Sequence, residues 1–192
     1  VNLANLTNAG GVETQAGSPG DATGSITDND IAGITVAGAP PIVREQGAAA
    51  TYTVVLNTQP NCASAKCAVM ITVAADSGQV SLSPTSIRFV NANPVAGEDL
   101  WNSPVAVSVS AINNAVVEGD RSATVPGSVS TTDDPAYSGA SVAQVGVTVK
   151  DNDSTLRFTA LSANAVEAAG GTVSFMVERL GEQFGAASVN VI

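Results

Sequence analysis

An all-β fold is predicted by three observations. Apolar residues recur at every second position in one run after another, the spacing at which side chains of an extended strand share a face. The runs are short and bounded by Gly, Pro, Asn and Asp, with 18 Gly and 9 Pro in the chain of 192 residues. The composition, 44% hydrophobic and only 12% charged, is too apolar for a disordered polymer and suits strands built on Val, Ala, Thr and Ser.

Taken in order, the first strand is predicted across 34–46, where Ile34 and Val36 alternate with Thr35. "TYTVVLN" then puts Tyr52, Val54 and Leu56 on one side, and "AVMITVAAD" puts Val69, Ile71 and Val73 together. A strand over 80–90 follows. "PVAVSVSAI" aligns Val105, Val107 and Val109 against Ala106, Ser108 and Ser110. Residues 123–132 and the run Val145, Val147, Val149 complete about seven strands. Each has one apolar and one polar face, the pattern of two antiparallel sheets packed face to face in an immunoglobulin-like sandwich. One short stretch, "NAVEAAGG", looks helical, and it ends in two glycines.

The triplet Asp-Asn-Asp occurs at 28–30 and again at 151–153, an offset of 123 (151 − 28). The residues that follow also correspond, "IAGITVAGAPPIVREQGAAATYTVVL" to "STLRFTALSANAVEAAGGTVSFMVERL", with Glu45 and Glu167 at matching places before a Gly and an alternating strand. That period is the size of a domain rather than of a solenoid repeat. The expected organisation is therefore tandem: residues 1–30 end one sandwich, 31–153 form a complete one, and 154–192 begin a third.

Seven basic against seventeen acidic residues give a net charge of −10, which repels a phosphate backbone and sets nucleic acid aside as a partner. The chain has no histidine, so Ser-His-Asp and Cys-His catalysis and His-ligated zinc are excluded. Acids are plentiful but sit at strand termini, where turns belong, and no nucleophile has a base partner. The expectation is that the protein is not an enzyme. No run approaches the length of a membrane span. The one tryptophan, Trp101, is too few for a sugar-stacking platform, and Tyr137 in "DDPAYSG" reads as a packing and hydrogen-bonding residue at a strand corner. The sequons at 5–7 and 152–154 matter only in a source that glycosylates.

Cys62 and Cys67 in "PNCASAKCAV" make a poor zinc site without further Cys or His. A disulfide across an inter-strand loop is the preferred reading. So short a loop contributes about 2 kcal/mol by the chain-entropy relation, and it points to a compartment outside a reducing cytosol.

The order "IVREQG…TYTVVLN", "VSLSPTSIRF", "SPVAVSVSAINNAVVEGD", "DDPAYSG" and "VTVKDND" resembles the Calx-β domain, named for the calcium-sensing domains of sodium–calcium exchangers and widespread as tandem repeats in bacterial extracellular proteins. Residues 1–30 are similar to the last two strands of the same domain, so the resemblance covers nearly the whole chain. In the exchanger domains calcium lies at one end of the sandwich. The resemblance implies Glu45, Glu118, Asp151 and Asp153 as ligands for Ca2+, and Asn114 as a source of a neutral carbonyl oxygen. Two departures reduce the charge: Asn113-Asn114 stand in place of an acidic pair, and Arg121 in place of another acid. They favour one weakly held ion over a multi-ion cluster. A cadherin repeat also uses Asp-Asn-Asp for calcium, but its internal L-D-R-E motif is missing here. The reading without metal stays beside these, since Asp and Asn satisfy turn backbone by themselves.

The function expected from all this is structural and adhesive: a tandem-repeat segment of an extracellular or cell-surface protein, stiffened by calcium where neighbouring domains of the chain meet. One rival is a self-assembling filament subunit, in which the open pieces 1–30 and 154–192 of different copies complete one another by strand addition. Another is an accessory module of a larger secreted enzyme.

Overall fold

The hydrophobic pattern decides which face of each strand turns inward. In β3 (Ala50–Leu56) Tyr52, Val54 and Leu56 are buried, and in β4 (Ala68–Val73) Val69, Ile71 and Val73 are. In β8 (Val105–Ala111) Val107 and Val109 are. The computed structural model describes residues 31–159, 167, 172–182 and 186–188. The Asp-Asn-Asp triplet at 28–30, the sequon at 5–7 and the strands expected in 1–30 lie outside the described residues, as does nearly all of the helix-like stretch at 164–171.

Two sheets enclose one core. The first runs β1 (Ile34–Ala37), β3, β8, β5 (Val80–Ser83), antiparallel throughout. The second runs β2 (Ile42–Arg44), β10 (Ser141–Lys150), β9 (Arg121–Thr132), β4, β6 (Ser86–Val90), β7 (Asp99–Leu100). Tyr52, Val54, Val107 and Val109 of the first sheet share a single apolar cluster with Val43, Ile71, Phe89, Val125, Val147 and Val149 of the second. The described residues are thus all-β apart from one 3-10 turn, as expected. A separate two-stranded ribbon follows, β11 (Ser154–Phe158) antiparallel to β12 (Val177–Gly181).

Residues 31–153 form ten strands rather than about seven, and prolines account for two of the three additions. The strand expected at 34–46 breaks at Gly38–Pro41 and changes sheet, because Pro40 and Pro41 have no N–H to continue a ladder. Gly38 turns the chain there at φ +131°, so close to Tyr52 that a Cβ would lie 3.3 Å from its Cα. The strand expected at 80–90 breaks at Pro84 in the same way. The third addition, β7, is only two residues long. Two pairs are parallel rather than antiparallel, β2 with β10 and β6 with β7.

The connections are tied down by named contacts. Cys62 and Cys67 are bonded to each other in the β3–β4 loop, the disulfide expected there. Tyr137, fully buried in the 3-10 turn Pro135–Tyr137, donates its hydroxyl to Thr58 O at 2.6 Å and accepts from Thr58 N–H at 3.2 Å. Glu98 accepts from Lys66 Nζ, from Val95 N–H at 3.1 Å and from Arg88 Nε at 3.2 Å. Those partners, Lys66 foremost, hold its carboxyl at a pKa of about 2 against 4.5. Among the described residues, no helix is long and apolar enough to cross a membrane.

Two outcomes follow. Residues 31–153 expressed alone melt in one cooperative transition by calorimetry, since they contain the whole cluster; a gradual melt refutes the boundaries. The stabilisation from Glu98 is present above its unfolded pKa near 4.5 and lost as pH falls towards 2. Glu98→Gln therefore lowers the melting temperature at pH 6 and much less at pH 2, where the wild-type carboxyl is largely protonated; an equal drop at both pH values rejects the charge-based account.

Candidate metal centre

The parallel pairing of β2 with β10 builds this site. Val43 lies opposite Val149 and Arg44 opposite Lys150, so both strands leave the sheet at the same end. Side chains alternate: Val43 and Val149 face the core, Arg44 and Lys150 face out, and the next residues, Glu45 and Asp151, face in again. The ladder extends one step further, with Glu45 N–H donating to Lys150 O at 3.1 Å. Two carboxylates thereby cap the end of the core at 2% and 5% exposure.

Asp151 is satisfied by backbone. Its Oδ2 accepts from Glu118 N–H at 2.9 Å and Gly119 N–H at 2.7 Å, and its Oδ1 from Asp153 N–H at 2.8 Å. Gly119, at φ +70°, lies in the left-handed region where glycine is favoured, in the turn that aims both of the first two amides at one oxygen. Burial pushes the Asp151 carboxyl up, but these three donors, with Arg121 nearby, outweigh it and hold the pKa below 3.8.

Glu45 has the opposite balance. Burial raises its pKa first, Asp153 and Asp151 raise it further, Asn114 partly offsets them, and Glu118 adds a last increment upwards. Asn114 Nδ2 donates to Glu45 Oε1 at 2.8 Å and to Glu118 Oε1 at 3.2 Å. Glu45 Oε2, Asp153 Oδ2 and Asn152 Oδ1 are buried and have no hydrogen-bond partner among the described residues.

Glu45, Asp151 and Asp153 each place a carboxylate oxygen within 4.8 Å of the other two. Two unit charges at that separation repel by about 3–4 kcal/mol at an effective dielectric of 20, several times the net value of one hydrogen bond. A proton or a cation offsets this. The donor set is oxygen only, and two of the convergent carboxylates keep a free oxygen. The residues therefore fit a hard cation of the calcium or magnesium type, and calcium tolerates their irregular arrangement better.

The other residues singled out in the sequence are close by in different roles. Glu118 stands at the rim, its carboxylate 3.4 Å from Arg121 Nη2, and serves Asp151 through its backbone amide. Asn114 directs its amide hydrogens, not its oxygen, at the acids, since Asn114 Oδ1 accepts from Val116 N–H at 2.6 Å. Asn152 was missed, although it is the centre of the triplet. Its Nδ2 donates to Glu45 O at 3.1 Å, so in this fold the sequon nitrogen is engaged.

No family model matches the sequence, and no curated protein matches it. Among solved structures, the E. coli chaperone DraB is similar over 64% of this chain at 8% identity and a TM-score of 0.41. The chain spans 57% of the length of DraB. At that score the likeness carries no argument about function.

Glu45→Gln keeps an oxygen for Asn114 and removes one of the three converging charges. In chelator at neutral pH it raises the melting temperature by a few degrees, on the order of 1 kcal/mol. The sign follows from the raised pKa: wild-type Glu45 costs stability as pH rises through its folded pKa, and glutamine removes that cost. A lower melting temperature in the variant refutes charge crowding at this site.

Proposed function

We propose that residues 31–153 are a Calx-β-like, immunoglobulin-type sandwich within a tandem array of an extracellular or cell-surface protein. In this reading Glu45, Asp151 and Asp153 hold one Ca2+ that stiffens the junction with the next unit, and the array serves as a structural, adhesive stalk. One observation carries it. Three carboxylates converge, with orphaned buried oxygens, at the end of the sandwich from which the chain enters β11.

The junction contacts support the same reading. Glu182 N–H donates to Asp153 O at 2.9 Å, and Arg44 Nη1 lies 2.8 Å from Glu182 Oε2. Gly181, at φ +86°, leaves no room for a side chain, since a Cβ would sit 2.5 Å from Asp153 O and 2.6 Å from Val117 Cγ1. The residues that would hold the ion and those that hold the ribbon are chain neighbours, Glu45 beside Arg44 and the two ends of Asp153 itself. The ion supplies positive charge and a fixed coordination shell. The chain supplies the lever that passes that rigidity to β12. The Cys62–Cys67 disulfide supports an oxidising compartment.

With three charges, affinity belongs in the range of extracellular modules, on the order of 10⁻⁴ to 10⁻³ M. At millimolar calcium the tight end of that range stabilises by about 1.4 kcal/mol, a shift of a few degrees in melting temperature. The measurement is a thermal melt of the 192-residue chain in calcium against chelator, with Glu45→Gln and Asp153→Asn combined as the control. Those two residues have the orphaned oxygens. Asp151→Asn is a poor control, because it removes an acceptor from backbone amides and costs about 1–3 kcal/mol whether or not an ion binds. Calcium raises the wild-type melt and leaves the double variant unmoved. An unchanged wild-type melt overturns the calcium reading.

A further inference from the structure

The strand switch that lays β2 beside β10 leaves the rest of that edge open. β2 pairs with β10 only over Thr148–Lys150, while β9 pairs with it back to Ser141 on the other side. Pro41 explains where the ladder stops. Thr148 N–H donates to Pro41 O at 2.9 Å, and the next rung back would need an N–H from Pro41 for Gly146 O, which proline lacks. The main-chain groups of Gly146 do turn to this edge. Gly146 lies opposite Thr124, whose C=O accepts from Asp76 N–H at 3.0 Å and whose N–H donates to Asp76 Oδ1 at 2.8 Å, both on the β4 side of β9. The pair is therefore of the non-hydrogen-bonded kind, and the N–H and C=O of Gly146 point away from β9. No described residue pairs with them there.

Beside that edge lies a cavity of about 140 Å³ between β1 and β10, lined by Val36, Gly38, Pro40 and Tyr52 on one side and by Gln144 and Val145 on the other. It exists because β1 pairs with β3 in the opposite sheet. A strand added to β10 in line with β2 sends every second side chain between the sheets, and the cavity lies where one of them falls. A volume of this size holds a benzene-sized apolar group, so it suits a Leu or Phe side chain. Neither wall has a charge: 31–43 and 135–149 contain no Asp, Glu, Lys or Arg. A charged side chain would lose its water there and gain no partner, and the edge lacks the charged residues that keep an open strand from pairing. A second copy fits less well. Two β10 edges paired about a twofold axis keep Val145 and Val147 of each over its own core, and both cavities stay empty. The groove is also clear of the ends of the sandwich. Gly146 is five residues (151 − 146), about 17 Å, from Asp151, so units joined in line leave it open.

We infer that this groove recognises a peptide: an extended, uncharged segment of another protein adds to β10 between Ser141 and Gly146, in line with β2, and seats one Leu- or Phe-sized side chain in the cavity. Main-chain bonds to Gly146 supply affinity, and the cavity supplies the choice of sequence. The inference rests on the sandwich of residues 31–153, not on the cation or on the number of units.

The probes are capped synthetic heptapeptides Lys-Val-Thr-X-Thr-Val-Lys, in which X shares a face with the two valines and the lysines face away. X is Leu, Phe, Ala or Asp. Amide shifts of the isotope-labelled 192-residue chain are followed by nuclear magnetic resonance in chelator, so that failure here is separate from failure of the calcium reading. The Leu and Phe peptides shift Gly146 and its neighbours saturably and bind about tenfold more tightly than the Ala peptide. The Asp peptide does not bind. Gly146→Pro, which removes the open N–H and leaves the β9 ladder its bonds, abolishes binding. Val36→Phe, which fills the cavity, removes the preference for Leu over Ala. Where either variant loses its cooperative melt, the comparison of the four peptides on the wild type decides alone. Equal binding of all four, binding that leaves Gly146 unshifted, or no binding overturns the inference. So does a sedimentation mass that doubles with concentration while Gly146 shifts, because a second copy then covers the edge.

Discussion

Everything distinctive at the acidic end depends on β2 running parallel to β10. An antiparallel partner would send Glu45 to the end of the sandwich opposite Asp151, and the cluster would not exist. The parallel register Arg44 to Lys150 also fixes the phase, so that Glu45 and Asp151 both fall on the inward face. A slip of β2 by one residue would turn Glu45 to solvent, bury Arg44 and part Glu45 from Asp151. The sheet switch at Gly38–Pro41 is what makes the parallel pairing available. It lifts the chain off β3 and lays its continuation beside β10 without reversing direction.

Within the cluster the acids divide the work. Asp151 takes three backbone amides and behaves as a structural element, a turn residue whose charge is held by N–H dipoles. Glu45 and Asp153 have spare buried oxygens and bear the electrostatic cost. The two aspartates of Asp-Asn-Asp thus have different surroundings. The first aspartate does what a turn requires, and the third, together with Glu45, keeps the oxygen that a turn has no use for.

Much of this was legible in the sequence because period-two alternation is a strictly local signal. Tyr52, Val54 and Leu56, or Val69, Ile71 and Val73, announce their burial without knowledge of their partners. The disulfide was legible from loop length and the lack of other ligands. Glu45, Asp151 and Asp153 came from repetition and resemblance, and geometry brings those three together. Strand direction was not legible, because parallel and antiparallel partners leave the same alternation in a three-residue strand such as Ile42–Arg44. Nor was the orientation of Asn114. An asparagine offers donor or acceptor equally, and the choice is made by Val116 N–H, which claims its oxygen.

Asn114 and Arg121 also explain how the fold tolerates its acids when no ion neutralises them. Asn114 donates to both Glu45 and Glu118 from one amide nitrogen, and Arg121 faces Glu118 across 3.4 Å. Both stand where the resemblance leads one to expect further carboxylates. A donor at either place lowers the repulsion among the acids and, by the same charge, lowers the attraction for any cation. The repulsion that remains falls on Glu45 and Asp153, whose second oxygens are buried without a hydrogen-bond partner among the described residues. The acids lie beside the contacts of Asp153 and Arg44 with Glu182, so a change of charge at the cluster acts on the junction with β12 before it acts on the core of valines beneath.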